Sequence, residues 1–199
     1  MCKYFLFILG FSFLSNAQNI TFTDANFKNA LVNTICINND ANPGADIDAD
    51  VNNDGEIEIS EALLVTNLSI NNQNISNIDE IIYFSNLQYL SCSQNSISSI
   101  EFFNNITLQS LFCNDNLITT LTLNNLPNLT NLYCSGNLIT TIDLSSTGFV
   151  QGDFSNNINL QTVQLKNGIT NSCIILLMQG IDYTCSMFLN CPSLVHVCL

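Results

Sequence analysis

The sequence predicts an α/β-type solenoid: short parallel strands stacked into a concave sheet, an irregular convex side, and a small helical cap at the N-terminal end. Three observations point there. The phrase LxxLxCxxN recurs at residues 87–95, 108–116 and 129–137, its first leucines 21 residues apart, with a looser copy at 65–74. A fixed period in the twenties marks units that each supply one short strand and a return, and that bury their apolar side only against neighbours. Only 10% of the residues are charged, and Asn, Ser, Thr and Gln fill the positions between the apolar ones. That composition suits a ladder of strands and turns better than it suits helices. Immediately before the repeats lies a dense acidic loop, which reads as part of a separate cap.

Residues 1–17 read as an export signal. Lys3 precedes an apolar run over 5–14, and Ser15-Asn16-Ala17 is a small-polar-small tripeptide of the kind a signal peptidase cuts, which makes Gln18 the expected mature start. The run is about 10 residues long, against the roughly 20 that span a bilayer, and no later segment is longer. The expected location is therefore secreted or cell-surface, and not transmembrane. The net charge is −13, with three lysines and no arginine. Nucleic acid is excluded as a partner, because phosphate binding draws its affinity from Lys and Arg.

Residues 18–64 form the expected N-terminal cap. Seven of the sixteen acids fall between Asp46 and Glu61. Within that stretch residues 50–61 read DVNNDGEIEISE and satisfy DxNxDGxxxxxE, the calcium-loop pattern with oxygen ligands at alternate positions, a glycine at the sharp turn and a glutamate at the end. Asp50, Asn52, Asp54 and Glu61 would bind through side chains, Glu56 through its backbone carbonyl, and Glu58 directly or through water. Residues 41–49 carry Pro43 and Gly44 and no helical pattern, so the entering helix of a full EF-hand is missing; Ser60-Glu61-Ala62-Leu63-Leu64 looks helical. With no second loop to pair with, the expectation is a solitary structural calcium site. The alternative is an acidic turn that needs no metal.

Residues 65–172 carry the repeats. Leu87, Leu90, Cys92, Asn95, Ile97 and Ile100 align with Leu108, Leu111, Cys113, Asn116, Ile118 and Leu121, and with Leu129, Leu132, Cys134, Asn137, Ile139 and Ile142. Val65, Leu68, Ile70, Ile75 and Ile78 precede them; Phe149, Gly152, Phe154 and Asn157 follow, and Leu160, Val163 and Leu165 read as the opening of a sixth unit. Alternation puts Leu90 and Cys92 inside and Tyr89, Ser91 and Ser93 on the other side. The asparagines predict a stacked ladder in which each side-chain amide satisfies a neighbouring turn.

These columns resemble the short bacterial leucine-rich repeats, in particular the internalin-like exported proteins whose repeat reads LxxLxCxxNxLxxL. The resemblance implies a leucine-rich repeat domain with a lead-in helix at Phe22-Thr23-Asp24-Ala25-Asn26-Phe27, and the family's lead-in segments carry a DGxIxxxEA stretch similar to 54–62 here. It also implies that Asn190-Cys191-Pro192-Ser193-Leu194 opens a further repeat. Residues 173–199 then read as a degenerate repeat that stops without a polar cap, as in a truncated product of a longer protein with a C-terminal sorting domain.

Cys92, Cys113 and Cys134 share one column and read as small buried apolar residues. Cys36, Cys173, Cys185, Cys191 and Cys198 lie outside it, in an exported chain where oxidation is allowed, and one C-terminal bridge among the last four is a hypothesis. With His196 as the sole histidine there is no Ser-His-Asp or Cys-His system, and the reading is of a protein that is not an enzyme. The candidate ligand surface is instead the concave face. Tyr89, Phe112 and Tyr133 form an aromatic stripe there, with Ser91, Asn114, Asn131, Asp153 and Gln164 as polar neighbours. Two functional readings follow for this face: recognition of a protein or glycan, or a structural spacer whose exposed aromatics serve only β-propensity. A binding region cut from a larger secreted enzyme is a third.

Overall fold

The computed structural model describes residues 18–37, 47–102, 105–165 and 196–198. The expected signal peptide, the Pro43-Gly44 segment, Cys173, Cys185, Cys191 and most of the degenerate last repeat lie outside these residues.

The cap begins with helix α1 (Ala25–Asn33), opened by Asp24, whose carboxylate accepts from the backbone of Asn26 and Phe27 at 2.8 and 3.1 Å. An acceptor at this position satisfies two of the four backbone donors that a helix start leaves without partners. The helix buries Phe27, Ala30 and Leu31 against the array, where Phe27 meets Phe84 at 6.4 Å between ring centroids. Helix α2 (Ile59–Ala62) follows the acidic loop, so the exit side is helical as expected.

Each turn of the solenoid then devotes three residues to a strand of one ladder. Strands β1 (Asn67–Ser69), β2 (Tyr89–Ser91), β4 (Ser110–Phe112), β6 (Asn131–Tyr133) and β8 (Gln151–Asp153) pair in parallel as one five-stranded sheet. The register sets Leu68, Leu90, Leu111, Leu132 and Gly152 side by side. The leucine column is buried, as are the columns of Leu87, Leu108, Leu129 and Phe149, and of Cys92, Cys113, Cys134 and Phe154. Gly152 breaks the leucine column for a steric reason. A Cβ there would collide with the carbonyl oxygen of Leu132 and touch the ring of Phe149, so the larger Phe149 fills the space a leucine occupies in the other turns.

The opposite side is more regular than the sequence suggests. Strands β3 (Ser99–Glu101) and β5 (Thr120–Thr122) form a second parallel ladder, and β7 (Thr141–Asp143), β9 (Thr162–Gln164) and β10 (His196–Cys198) form a third. Val163 pairs with Ile142, which places Leu160, Val163 and Leu165 on the return half of the fifth turn. The described array thus has five turns on the first sheet, where the spacing had suggested six units. Leu160, Val163 and Leu165 do not open a new unit, because the unit at Gly152 is one residue short and shifts the columns that follow; β10 then adds one more step to the third ladder beside β9.

The asparagine ladder forms as predicted. Asn116 donates to the carbonyls of Cys92, Cys113 and Asn114 at 3.0–3.2 Å and accepts from the backbone of Ile97 at 3.0 Å. Asn137 repeats the pattern with Cys113, Cys134, Ser135 and Ile118. A single amide therefore stitches two turns together and satisfies the backbone that the tight corner removes from the sheet. The residue before it turns the chain: Asn72, Gln94, Asp115, Gly136 and Asn156 all have positive φ, between 54 and 65°. Only glycine takes that region freely, and Asn and Asp take it more readily than other residues, so Gln94 is the one costly choice in the column.

Candidate functional site

Two outward columns flank the buried leucines on the five-stranded sheet. One runs Asn67, Tyr89, Ser110, Asn131, Gln151, and the other Ser69, Ser91, Phe112, Tyr133, Asp153. The three aromatic residues touch across these columns. Phe112 and Tyr133 stand at equivalent positions on adjacent strands, and their rings stack at 4.8 Å with planes 4° apart. Tyr89 reaches diagonally to Phe112 at 5.3 Å with a 38° tilt. Parallel strands about 4.8 Å apart impose that spacing, so a run of aromatics at one register position has little choice but to stack. Tyr89 is 36% exposed, and Phe112 and Tyr133 are half-buried. Ring stacking holds the three in place, so they form one contiguous apolar ridge on an otherwise polar sheet.

The polar neighbours differ in what already holds them. Asn131 is committed within the sheet: it donates to the Ser110 hydroxyl at 2.8 Å and accepts from the Gln151 amide at 2.9 Å. Asn114 accepts from the backbone and hydroxyl of Ser135, each at 3.0 Å. Ser91 is buried and donates to Asn71 at 2.8 Å, so it contributes to the sheet's own bonding and not to its surface. Asp153 stands beside Tyr133, with one oxygen accepting from the backbone of Ser155 at 2.9 Å. Gln164 is a correction: it lies on β9, paired with Asp143 in the third ladder, because Val163 belongs to the return half of its turn. It is not part of the aromatic face. Ser110, Gln151 and Asn71 were missed, although the repeat alignment marks each as an outward or turn position.

At the cap, the acidic loop folds back on itself. Gly55 has φ +83°, the left-handed conformation the sharp turn needs. Asp50 accepts from the backbone of Asp54 and Gly55 at 3.1 and 2.8 Å, Asn52 from Asp54 at 2.9 Å, and Asp54 from Glu56 at 2.9 Å. Glu61 closes the loop by accepting from the backbone of Asn52 and Glu58 at 3.1 and 3.0 Å. The Glu56 side chain turns away to an ion pair with Lys28 on α1 at 2.7 Å, which leaves its backbone carbonyl as its contribution to the loop. The Glu58 carboxyl is raised above the usual range, first by its hydrogen bond with Glu61, then by burial and by the charges of Glu61 and Asp54. Among the described residues, no group of three or more His, Cys, Asp or Glu side chains converges as an ion cage would require. The carboxylates of the loop are arranged around backbone donors.

A partner for the loop does exist, though it is not a second loop. Ile20 donates to the carbonyl of Ile57 at 2.8 Å, and Ile59 donates to that of Gln18 at 3.0 Å. The expected start of the mature chain thus pairs, antiparallel, with residues 57–59 of the loop itself.

Asp24 is the cap residue whose weight the sequence did not reveal. Besides opening α1, it accepts from the backbone and hydroxyl of Ser76, both at 2.7 Å, and from the backbone of Asn77 at 3.1 Å. Burial pushes its carboxyl up, but the bonds from Ser76, Phe27 and Asn77 outweigh that and hold it down at about 2. Cys92 and Cys113 are buried thiols, as their column predicts, and Cys36, whose pairing the sequence left open, is a buried thiol as well; burial pushes Cys92 and Cys36 up to about 12 and Cys113 well up. Thiols held protonated in this way are inert packing groups, not nucleophiles.

No family model matches the chain, and no curated protein does. Among solved structures it is similar to the functional domain of InlJ from Listeria monocytogenes, described as including a cysteine ladder, at 24% identity and a TM-score of 0.41 over 72% of this chain and 32% of that one. It is also similar to an internalin, InlF, from Listeria monocytogenes, at 19% identity and a TM-score of 0.47 over 88% of this chain and 49% of that one. The chain therefore spans 32% of the one structure and 49% of the other. Among the described residues, no helix is long and apolar enough to cross a membrane.

Proposed function

We propose that this chain is a secreted or cell-surface recognition module that binds a protein or glycan through the five-stranded sheet. The observation that carries the reading is the contiguous ridge of Tyr89, Phe112 and Tyr133. Aromatic rings held rigid and half-buried lose little entropy on binding, which is why such groups dominate binding energetics. The structural-spacer reading is favoured by one observation, the self-satisfied chain of Gln151, Asn131 and Ser110 beside the ridge. Alanine at Tyr89, Phe112 and Tyr133 separates the two. On a panel of immobilised extracellular-matrix proteins and glycans, binding lost in the triple variant while the melting cooperativity persists supports recognition. No binding by either supports the spacer, and binding that the triple variant retains rules out the ridge as the binding site.

Calcium at 50–61 is the second part of the proposal. What supports it is the all-oxygen donor set on one loop, closed by Glu61 and crowded with like charge. The ion would tie Asp50, Asn52, Asp54 and Glu61 together and stiffen the cap without taking part in ligand binding. Calorimetric titration of calcium into the chelator-treated mature domain should show saturable binding on the order of 10⁻⁴ to 10⁻³ M, with a raised melting temperature. Both should disappear in Asp54→Ala and Glu61→Ala; absence of heat and of a melting shift in the wild type leaves only an acidic turn.

A further inference from the structure

The recognition reading leaves open which chemistry the ridge receives, and the end of the ridge narrows it. Tyr133 has one ring face covered by Phe112, stacked parallel to it, so the other face looks along the sheet toward β8. At the paired position on β8 stands Asp153, half-buried, with one carboxylate oxygen held by the backbone of Ser155. The electron-rich face of a phenol ring and a carboxylate thus adjoin at neighbouring register positions.

That pair is complementary to a cation, which is attracted both to the ring face and to the carboxylate. The chain has almost nothing of its own to place there. It contains no arginine and three lysines. Lys3 lies in the expected signal peptide, Lys28 is paired with Glu56, and Lys166 falls outside the described residues. The net charge of −13 repels anionic partners and draws cationic ones toward the surface.

We propose that the sheet face takes a cationic polypeptide segment, one arginine or lysine of which lies on the open face of Tyr133 and pairs with Asp153. The proposal rests on the recognition reading and specifies its partner. A neutral glycan could also stack on the ridge and donate its hydroxyls to Asp153, so the charge of Asp153, and not its capacity to accept, is what separates the two partners.

The test is a titration of the mature domain with an octa-arginine peptide and, separately, with a neutral chitin hexasaccharide. Asp153→Asn keeps an acceptor for Ser155 while removing the charge, and Tyr133→Leu keeps apolar bulk while removing the ring. Glu101→Gln, on β3 away from the ridge, removes the same charge from elsewhere on the surface. Peptide binding weakened about fivefold by Asp153→Asn and by Tyr133→Leu, and unchanged by Glu101→Gln, supports the proposal. Equal weakening by Asp153→Asn and Glu101→Gln means diffuse charge attraction and overturns it. Hexasaccharide binding that depends on Tyr133, with none to the peptide, overturns the cationic partner while leaving the recognition reading standing. Binding to neither probe overturns it as well, and the recognition reading is then judged by the triple alanine variant alone.

Discussion

In the array, Leu111 has an equivalent in the turn before it, Leu90, and another in the turn after, Leu132; in the cap, Asp24 has no equivalent anywhere. The difference is physical. A repeat buries its apolar side chains against copies of themselves, so every contact recurs at a fixed spacing and the sum grows with each turn. A cap must end that recurrence, and it does so with contacts made once. Asp24 both opens α1 and ties it to the first turn, with five accepted bonds shared between Asn26, Phe27, Ser76 and Asn77, beside the Asn26 amide on the Asn74 carbonyl at 2.8 Å and the Phe27–Phe84 contact. The array is robust because it is redundant; the cap depends on single residues.

Three substitutions sharpen that contrast. The largest effect should come from the middle of the array, where Leu111→Ala leaves a cavity that neighbours on both sides resist closing. A loss of about 3–4 kcal/mol is expected by denaturant unfolding, within the range for buried leucines. If the array were instead loosely packed, the loss would fall toward the bare transfer value of about 2 kcal/mol.

Asp24→Ala should cost about 2 kcal/mol, less in size but different in kind, because it strips a helix start and a docking contact at once. The same residue sets an acid sensitivity. Its folded pKa, about 2, lies below the ordinary 3.8, so the stability it supplies is complete above about pH 4 and disappears as pH falls toward 2. Comparing the acid unfolding of wild type and Asp24→Asn isolates this contribution from that of the other carboxylates. The variant should show a shallower loss across that window, and identical curves would remove Asp24 from the account of the cap.

The smallest effect, and the one stabilising change, is Gln94→Gly. Gln94 has φ +58° at the turn position where Gly136 stands two turns on. Relief of the left-handed strain, offset by the freedom glycine loses on folding, should leave a gain of about 0.5 kcal/mol. A loss would mean that the exposed Gln94 side chain makes contributions beyond its backbone.

The same contrast governs how much could be read from the chain alone. The leucine, cysteine and asparagine columns were legible because each residue is stated several times in register, and the stripe of Tyr89, Phe112 and Tyr133 followed from the same alignment. The placing of Leu160, Val163 and Leu165 failed where the register itself shifts, at Gly152 and Phe149, and Gln164 was carried onto the wrong ladder with it. The regular strands on the return side escaped notice because Ser99, Thr120 and Thr141 look like ordinary turn residues until their neighbours are stacked. In the cap the acidic loop announced itself through its spacing. Asp24 did not, because a lone aspartate before a helix signals an N-cap and nothing about Ser76, which is 52 residues away.

Native-state hydrogen exchange of the wild type and Asp24→Ala tests the division between array and cap most directly. If the cap is a separately opening unit docked through Asp24, the amides of residues 27–33 should lose protection in the variant. The strands from Leu90 to Leu132 should keep theirs. A uniform loss across cap and array would contradict it, and would mean that the two regions fold and fail as one.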